Sequence, residues 1–244
     1  MPVRKRLKVI LVAQSVSPEN LVSLGARLCY SQAEVDNLRE KVSRQDQADF
    51  IRKLLSMGHE SALEHASFTF GIEGVSRVLL AQLTRHRIAS FSVQSQRYVS
   101  YENGFGYILP PAIEALGQEA ADEYARQMET MHKWYTDWQK KLGGVNEDAR
   151  FVLPGACETR LLLTMNVREL RHFFSLRMCR RAQWEIRALA NEMFRLCYTA
   201  APELFADAGP GCIRGHCPEG AKSCGKSAEM RAAREELISS SLKE

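Results

Sequence analysis

Residues 8–14 (Lys-Val-Ile-Leu-Val-Ala-Gln) are an apolar run of strand length. Ser17-Pro18-Glu19 follows with a capping residue, a first-turn proline and an early acid, so the pattern predicts a helix reaching about Tyr30. Residues 46–57 put Phe50, Ile51, Leu54 and Leu55 on one helical face and stop before Gly58. Gly58-His59-Glu60-Ser61 then reads as a loop. Over residues 67–72, Phe68, Phe70 and Ile72 alternate with the period of a half-buried strand, and Val75, Val78, Leu79 and Leu83 shift to helical spacing through Thr84.

Residues 85–101 are a polar segment, and the glycine, aromatics and prolines of 104–111 mark a boundary. A long helix over about 111–141 presents Tyr124, Met128, Met131, Tyr135 and Trp138 to a core. After Gly143-Gly144, residues 147–153 make a helical turn that Pro154 stops. Residues 158–165 read as a buried strand, and Asn166 is placed to cap a helix carrying Leu170, Phe173, Phe174 and Met178. A further amphipathic helix over 183–200 shows Ile186, Leu189, Met193, Leu196 and Cys197 at 3–4 spacing. Strands are few and do not alternate regularly with helices, so the expected fold class is α+β: a small antiparallel sheet packed with several long helices. Glycines, prolines and three cysteines make residues 209–224 a compact loop, followed by a polar, peripheral helix over 227–241. A domain boundary is therefore expected between 208 and 209.

Composition narrows the function. The chain of 244 residues is 45% hydrophobic and 25% charged, enough for a proper core. No apolar run approaches the roughly 18 residues of a spanning helix, and residues 9–13 fall short of the roughly 7–15 apolar residues of a signal peptide, so no membrane role is expected. Seven cysteines, an odd number, point to a reducing cytoplasm. Cys29, Cys179 and Cys197 sit in helical patterns as small core residues. Cys212, His216, Cys217 and Cys224 lack a common zinc spacing, so no metal is expected. The net charge of +4 is mild and does not by itself imply nucleic acid. Its makeup is more informative: 23 arginines stand against 10 lysines, and ten arginines but no lysine occur between Lys141 and Lys222. Surface ion pairs account for part of that bias; planar guanidinium forks gathering a phosphorylated ligand account for it better.

Residues 85–98 (Arg-His-Arg-Ile-Ala-Ser-Phe-Ser-Val-Gln-Ser-Gln-Arg-Tyr) concentrate arginine, histidine, serine and glutamine, with Ile88, Phe91 and Val93 pinning the segment to a core. Arg85, His86 and Arg87, seven residues, then Ser95 resembles the signature of the flavin-dependent thymidylate synthases. Gly58-His59-Glu60-Ser61 with Glu64-His65, the block Arg150-Phe151-Val152-Leu153-Pro154, and Asn166-Val167-Arg168 through Trp184-Glu185-Ile186-Arg187 resemble further blocks of that family, in order. The resemblance covers roughly residues 8–205 and implies that 1–208 is the catalytic domain and 209–244 an extension.

The resemblance implies reductive methylation of dUMP to dTMP, with methylenetetrahydrofolate as carbon donor and FAD, reduced by NADPH, as hydride carrier, in a cytoplasmic homotetramer with shared active sites. Ser61, Arg85, His86, Arg87, Ile88, Asn166, Val167, Arg168 and His172 match FAD-binding positions. Gln82, Arg85, Ser95, Gln96, Arg97, Arg150 and Arg177 match positions that bind the nucleotide. Arg177 further matches the arginine acting on the uracil ring, where a guanidinium beside N3 and O4 stabilises the ionised ring, and His59 a residue near the flavin and the reacting carbon. Many relatives carry Asn-Glu where this chain has Ser92-Val93, so no side-chain carboxylate contact is expected at Val93. Ser95 has no paired base and is assigned to binding. No cysteine lies in the Pro-Cys-His context of the unrelated thymidylate synthase class; hydride delivery removes the need for that nucleophile. The competing reading is a nucleotide- or RNA-binding module built on the arginine-rich segments, which lacks a basic tail or an RNP-like aromatic strand.

Overall fold

The computed structural model describes residues 1–241. Short β1 (Val3–Arg4) and β2 (Lys8–Gln14) precede three helices, α1 (Pro18–Leu28), α2 (Val35–Ser43) and α3 (Ala48–Ser56), and a 3₁₀ turn at Ser61–His65. β3 (Ser67–Ser76) runs into α4 (Arg77–Leu83), followed by β4 (Ala89–Val93) and β5 (Gly106–Tyr107). Helices α5 (Pro111–Glu114), α6 (Gln118–Lys141) and α7 (Asn146–Ala149) lead to β6 (Glu158–Asn166). The remainder is helical: α8 (Val167–Arg177), α9 (Trp184–Ala200), α10 (Pro202–Phe205) and α11 (Ser227–Ser241). The fold is α+β, with a small antiparallel sheet in the order β2-β3-β6-β4 and a separate parallel pair, β1 and β5, that sets Val3 opposite Gly106. Among the described residues no helix is long and apolar enough to cross a membrane.

The chain forms two compact units, one of residues 1–8, 71–85 and 91–162, the other of residues 9–70, 86–90 and 163 onward. In the first, Tyr101, Phe105, Tyr107, Leu109, Met128, Tyr135 and Cys157 make a buried cluster. Its polar edge is closed by the Tyr135 hydroxyl, which accepts from the Tyr101 amide at 3.3 Å and donates to Asn146 at 2.9 Å. Gly74, at φ +71°, lets β3 pass the Arg6 carbonyl, where a Cβ would sit 1.8 Å from that oxygen. In the second unit Phe68, Phe174, Phe194 and Phe205 are fully buried and meet edge to face, with ring centroids 5.6–5.9 Å apart.

Several elements differ from the sequence expectation. α2 is additional: it buries only Leu38 and Val42, too few apolar positions to reveal a period. The single helix expected over 111–141 is two, because Gly117 at φ +103° breaks it. Met128 and Tyr135 are buried there as expected, whereas Trp138 is exposed. Ser17 adopts φ 46° and makes no side-chain cap; α1 starts instead on Pro18, with the Ser17 carbonyl accepting from the Leu21 amide. The polar segment 85–101 contains β4, and the strand over 158–165 is half-buried, with Arg160 and Leu162 facing out and Leu161, Leu163 and Met165 facing in. Cys197 is a core residue, but Cys29 is exposed. α11 is no loose appendage: buried Arg234 donates to the carbonyls of Phe205, Ala206 and Ala208 and lies over the Phe194 ring.

Candidate active site

Asn166 ends β6 and caps α8, its side chain accepting from the Glu169 amide at 2.8 Å. From that start Glu169, Phe173 and Arg177 fall at i, i+4 and i+8, on one face of the helix. His86, buried, lies across this face. Its Nδ1 is 2.8 Å from Glu169 Oε1, the Arg177 Nε lies 3.0 Å from its Nε2, and its ring meets Phe173 edge on at 5.0 Å. Burial depresses the His86 pKa below its ordinary 6.5; the Glu169 hydrogen bond pulls it up, while Arg177 and His172 push it further down. A neutral ring satisfies both neighbours in only one tautomer, in which Nδ1–H donates to the carboxylate and Nε2 accepts from the guanidinium. Glu169 thus fixes His86, and His86 fixes the orientation of the Arg177 fork.

Beside this array a cavity of about 580 Å³ is lined by Ile88, Asn166, Arg168, His172, Glu60 and Glu64. Arg168 holds Glu64 at 2.5 Å and Glu60 at 3.9 Å in half-exposed pairs of little net worth, so a phosphate can replace them. The α8 N-terminus, opening at Asn166, adds dipole attraction for an anion. A neighbouring cavity of about 430 Å³ contains His59 and Ser61 and shares Arg168. Among the sequence-derived FAD positions of this unit, Ser61, Ile88, Asn166, Arg168 and His172 line one or other of these cavities, His86 anchors the array, Val167 is buried in the first turn of α8, and Arg87 is exposed. This donor set fits a flavin nucleotide: guanidinium, amide and imidazole groups beside an apolar Ile88.

The first unit carries the nucleotide-matching residues other than Arg177. Arg85 is exposed directly beyond α4, its amide donating to the Gln82 carbonyl at 3.3 Å. Arg97 and Arg150 converge on Glu147, the former on its carboxylate at 3.1 Å and the latter on its carbonyl at 2.9 Å. Ser95 Oγ accepts from the Arg97 amide at 3.2 Å. Gln96 is buried, with its amide 3.7 Å from the Cys157 sulfur. Sequence reasoning missed Glu169. Following Asn166 by three residues, it has the spacing of a helix-capping glutamate, and only its register with Arg177 signals the other role.

Residues 10–203 match the family model described as thymidylate synthase complementing protein. The chain belongs to this family. Other members include flavin-dependent thymidylate synthases of Geobacter sulfurreducens, 53% identical over 92% of this chain and 97% of the relative, and of Clostridium tetani, 47% identical over 92% and 96%. Among solved structures, the UMP/dUMP methylase PolB of Streptomyces cacaoi, bound with 5-Br dUMP, superposes with a TM-score of 0.71 at 26% identity, covering 86% of this chain and 98% of that one. The family match takes in the signature arginines and histidine, β6 and the whole of α8 and α9.

Proposed function

We propose that this chain is a methyltransferase converting dUMP to dTMP, with methylenetetrahydrofolate as carbon donor and FAD, reduced by NADPH, as hydride carrier. Membership of a family whose 53%-identical relative is a flavin-dependent thymidylate synthase carries the reading. The bound flavin supplies the hydride; the chain's own residues position and polarise. Arg177, whose Nε donates to His86, presents its guanidinium to the uracil ring, where it stabilises charge on N3 and O4. His59 stands with it as the second catalytic residue, beside Ser61 in the smaller cavity. Ser61, Arg85, His86, Arg87, Ile88, Asn166, Val167, Arg168 and His172 hold FAD. Gln82, Arg85, Ser95, Gln96, Arg97, Arg150 and Arg177 hold dUMP, with Arg97 and Arg150 exchanging Glu147 for the phosphate.

The assembly in this reading is a cytoplasmic homotetramer whose subunits share active sites, without nucleic acid or membrane. The end of the family match at residue 203 supports residues 1–208 as the catalytic domain and 209–244 as an extension. The RNA-binding alternative has no support among the relatives. Anaerobic reduction of the flavin-loaded protein by NADPH, followed by dUMP and methylenetetrahydrofolate, tests the reading. Flavin reoxidation with stoichiometric thymidylate is the expected outcome; reduction without thymidylate defeats it.

A further inference from the structure

Three cavities follow one another within the second unit. The cavity at Asn166, Arg168 and His172 shares Glu60 and Arg168 with the one holding His59 and Ser61. That one shares Tyr30, Leu54 and His59 with a third, of about 570 Å³, enclosed by α1, α2 and α3. Of the residues given a role above, only His59 lines the third cavity, at the end it shares with the second. Its volume is that of a small-molecule site. Arg27, Lys41 and Lys53 line it and no acidic residue does, while Phe50, Tyr30 and Met57 provide an apolar wall. Arg27 is set for a ligand: its guanidinium lies 3.8 Å above the Phe50 ring, and its buried Nε has no hydrogen-bond partner. Tyr30 and Met57 are 83% and 51% exposed, an uncovered apolar rim.

A ligand matching this cavity has an aromatic body, several negative charges, and an end that reaches His59. We propose that the third cavity receives the p-aminobenzoyl-glutamyl tail of the folate co-substrate. The ring lies against Phe50 and Tyr30, Arg27 takes the first carboxylate, and Lys41 and Lys53 take those of added γ-linked glutamates. The carbon-bearing end then lies toward His59 and the flavin residues. This rests on the synthase reading and deepens it by naming the form of folate preferred: one with a polyglutamate tail.

The test is equilibrium binding to the flavin-loaded full-length protein, by calorimetry, of folic acid, its tri-γ-glutamate, and adenosine 2′,5′-bisphosphate as a probe for the phosphorylated end of NADPH. Two added carboxylates on exposed lysines are worth about 3- to 10-fold in affinity. The triglutamate is therefore expected to bind that much tighter than the monoglutamate, with the ratio falling below about 2-fold in Lys41→Gln/Lys53→Gln. Both lysines are exposed helix positions, and an unchanged melting temperature confirms that the variant is folded. Equal binding of the two folates to the wild type, or absence of binding, overturns the proposal. So does a preference that survives in the variant. Two further results count against it: lysine-dependent binding of the bisphosphate alone, and a variant whose assembly mass changes while its tail preference persists, which would give this face to a second copy. Failure of the synthase reading shows separately, as no thymidylate from the loaded wild type with either folate.

Discussion

Glu169, Phe173 and Arg177 reach His86 from successive turns of α8, and each makes a different demand on the ring. The carboxylate favours a protonated imidazole, the guanidinium and burial oppose it, and burial prevails. Above pH 6.5 the ring is neutral both folded and unfolded. As pH falls below 6.5 the unfolded chain takes up the proton first, so this site's stability is full above 6.5 and is lost as pH approaches the depressed folded value. Substitutions should move that value in opposite directions: Arg177→Ala removes a depressing charge and raises the His86 pKa, whereas Glu169→Gln removes the supporting carboxylate and lowers it. The Cε1 proton shift of His86, titrated by NMR, reads both changes. Glu169→Gln should also lower kcat by about 10-fold with flavin retained, since it weakens one charge-assisted hydrogen bond. An unchanged kcat would remove Glu169 from the positioning role.

Helix α8 turns one capping residue into the placement of this array, because the position of Asn166 sets the phase in which Glu169 and Arg177 face His86. Asn166→Ala should cost about 1 kcal/mol in a chemical-denaturation midpoint. Phe174→Ala, which hollows the aromatic core behind the same helix, should cost about 3–5 kcal/mol. Helices with strong apolar stripes, α3, α8 and α9, were legible from periodicity, as was the Asn166 cap. α2 was not, because most of its surface meets water and two apolar contacts leave no periodic trace. The helix over 111–141 concealed its break because Gly117 reads as an ordinary helical glycine until its positive φ is seen. At the site, arginine bias and the Arg85-His86-Arg87 motif were visible along the chain. Glu169 was not, since its partner His86 is 83 residues away and only the tertiary fold joins them.

Across the whole molecule, charge and thiol chemistry are distributed by burial. Cys157 and Cys197 are removed from water and their thiols are held far from ionisation, that of Cys157 pushed up to about 12, while Cys29 lies exposed on the surface. Mass-spectrometric mapping of maleimide labelling at pH 8 should find Cys29 modified readily and Cys157 and Cys197 modified only on unfolding. Arginine follows the same logic: Arg171 and Arg234 are buried on backbone carbonyls and serve the fold, whereas Arg85 and Arg97 are exposed. The central claim is that Arg177, oriented by His86, acts on the pyrimidine and does not hold the flavin. Single-turnover thymidylate formation by Arg177→Ala, with flavin content measured in the same sample, tests it most directly. Full flavin occupancy with methylation slowed by about 100-fold or more is the expected result; methylation at the wild-type rate, or a protein emptied of flavin, contradicts it.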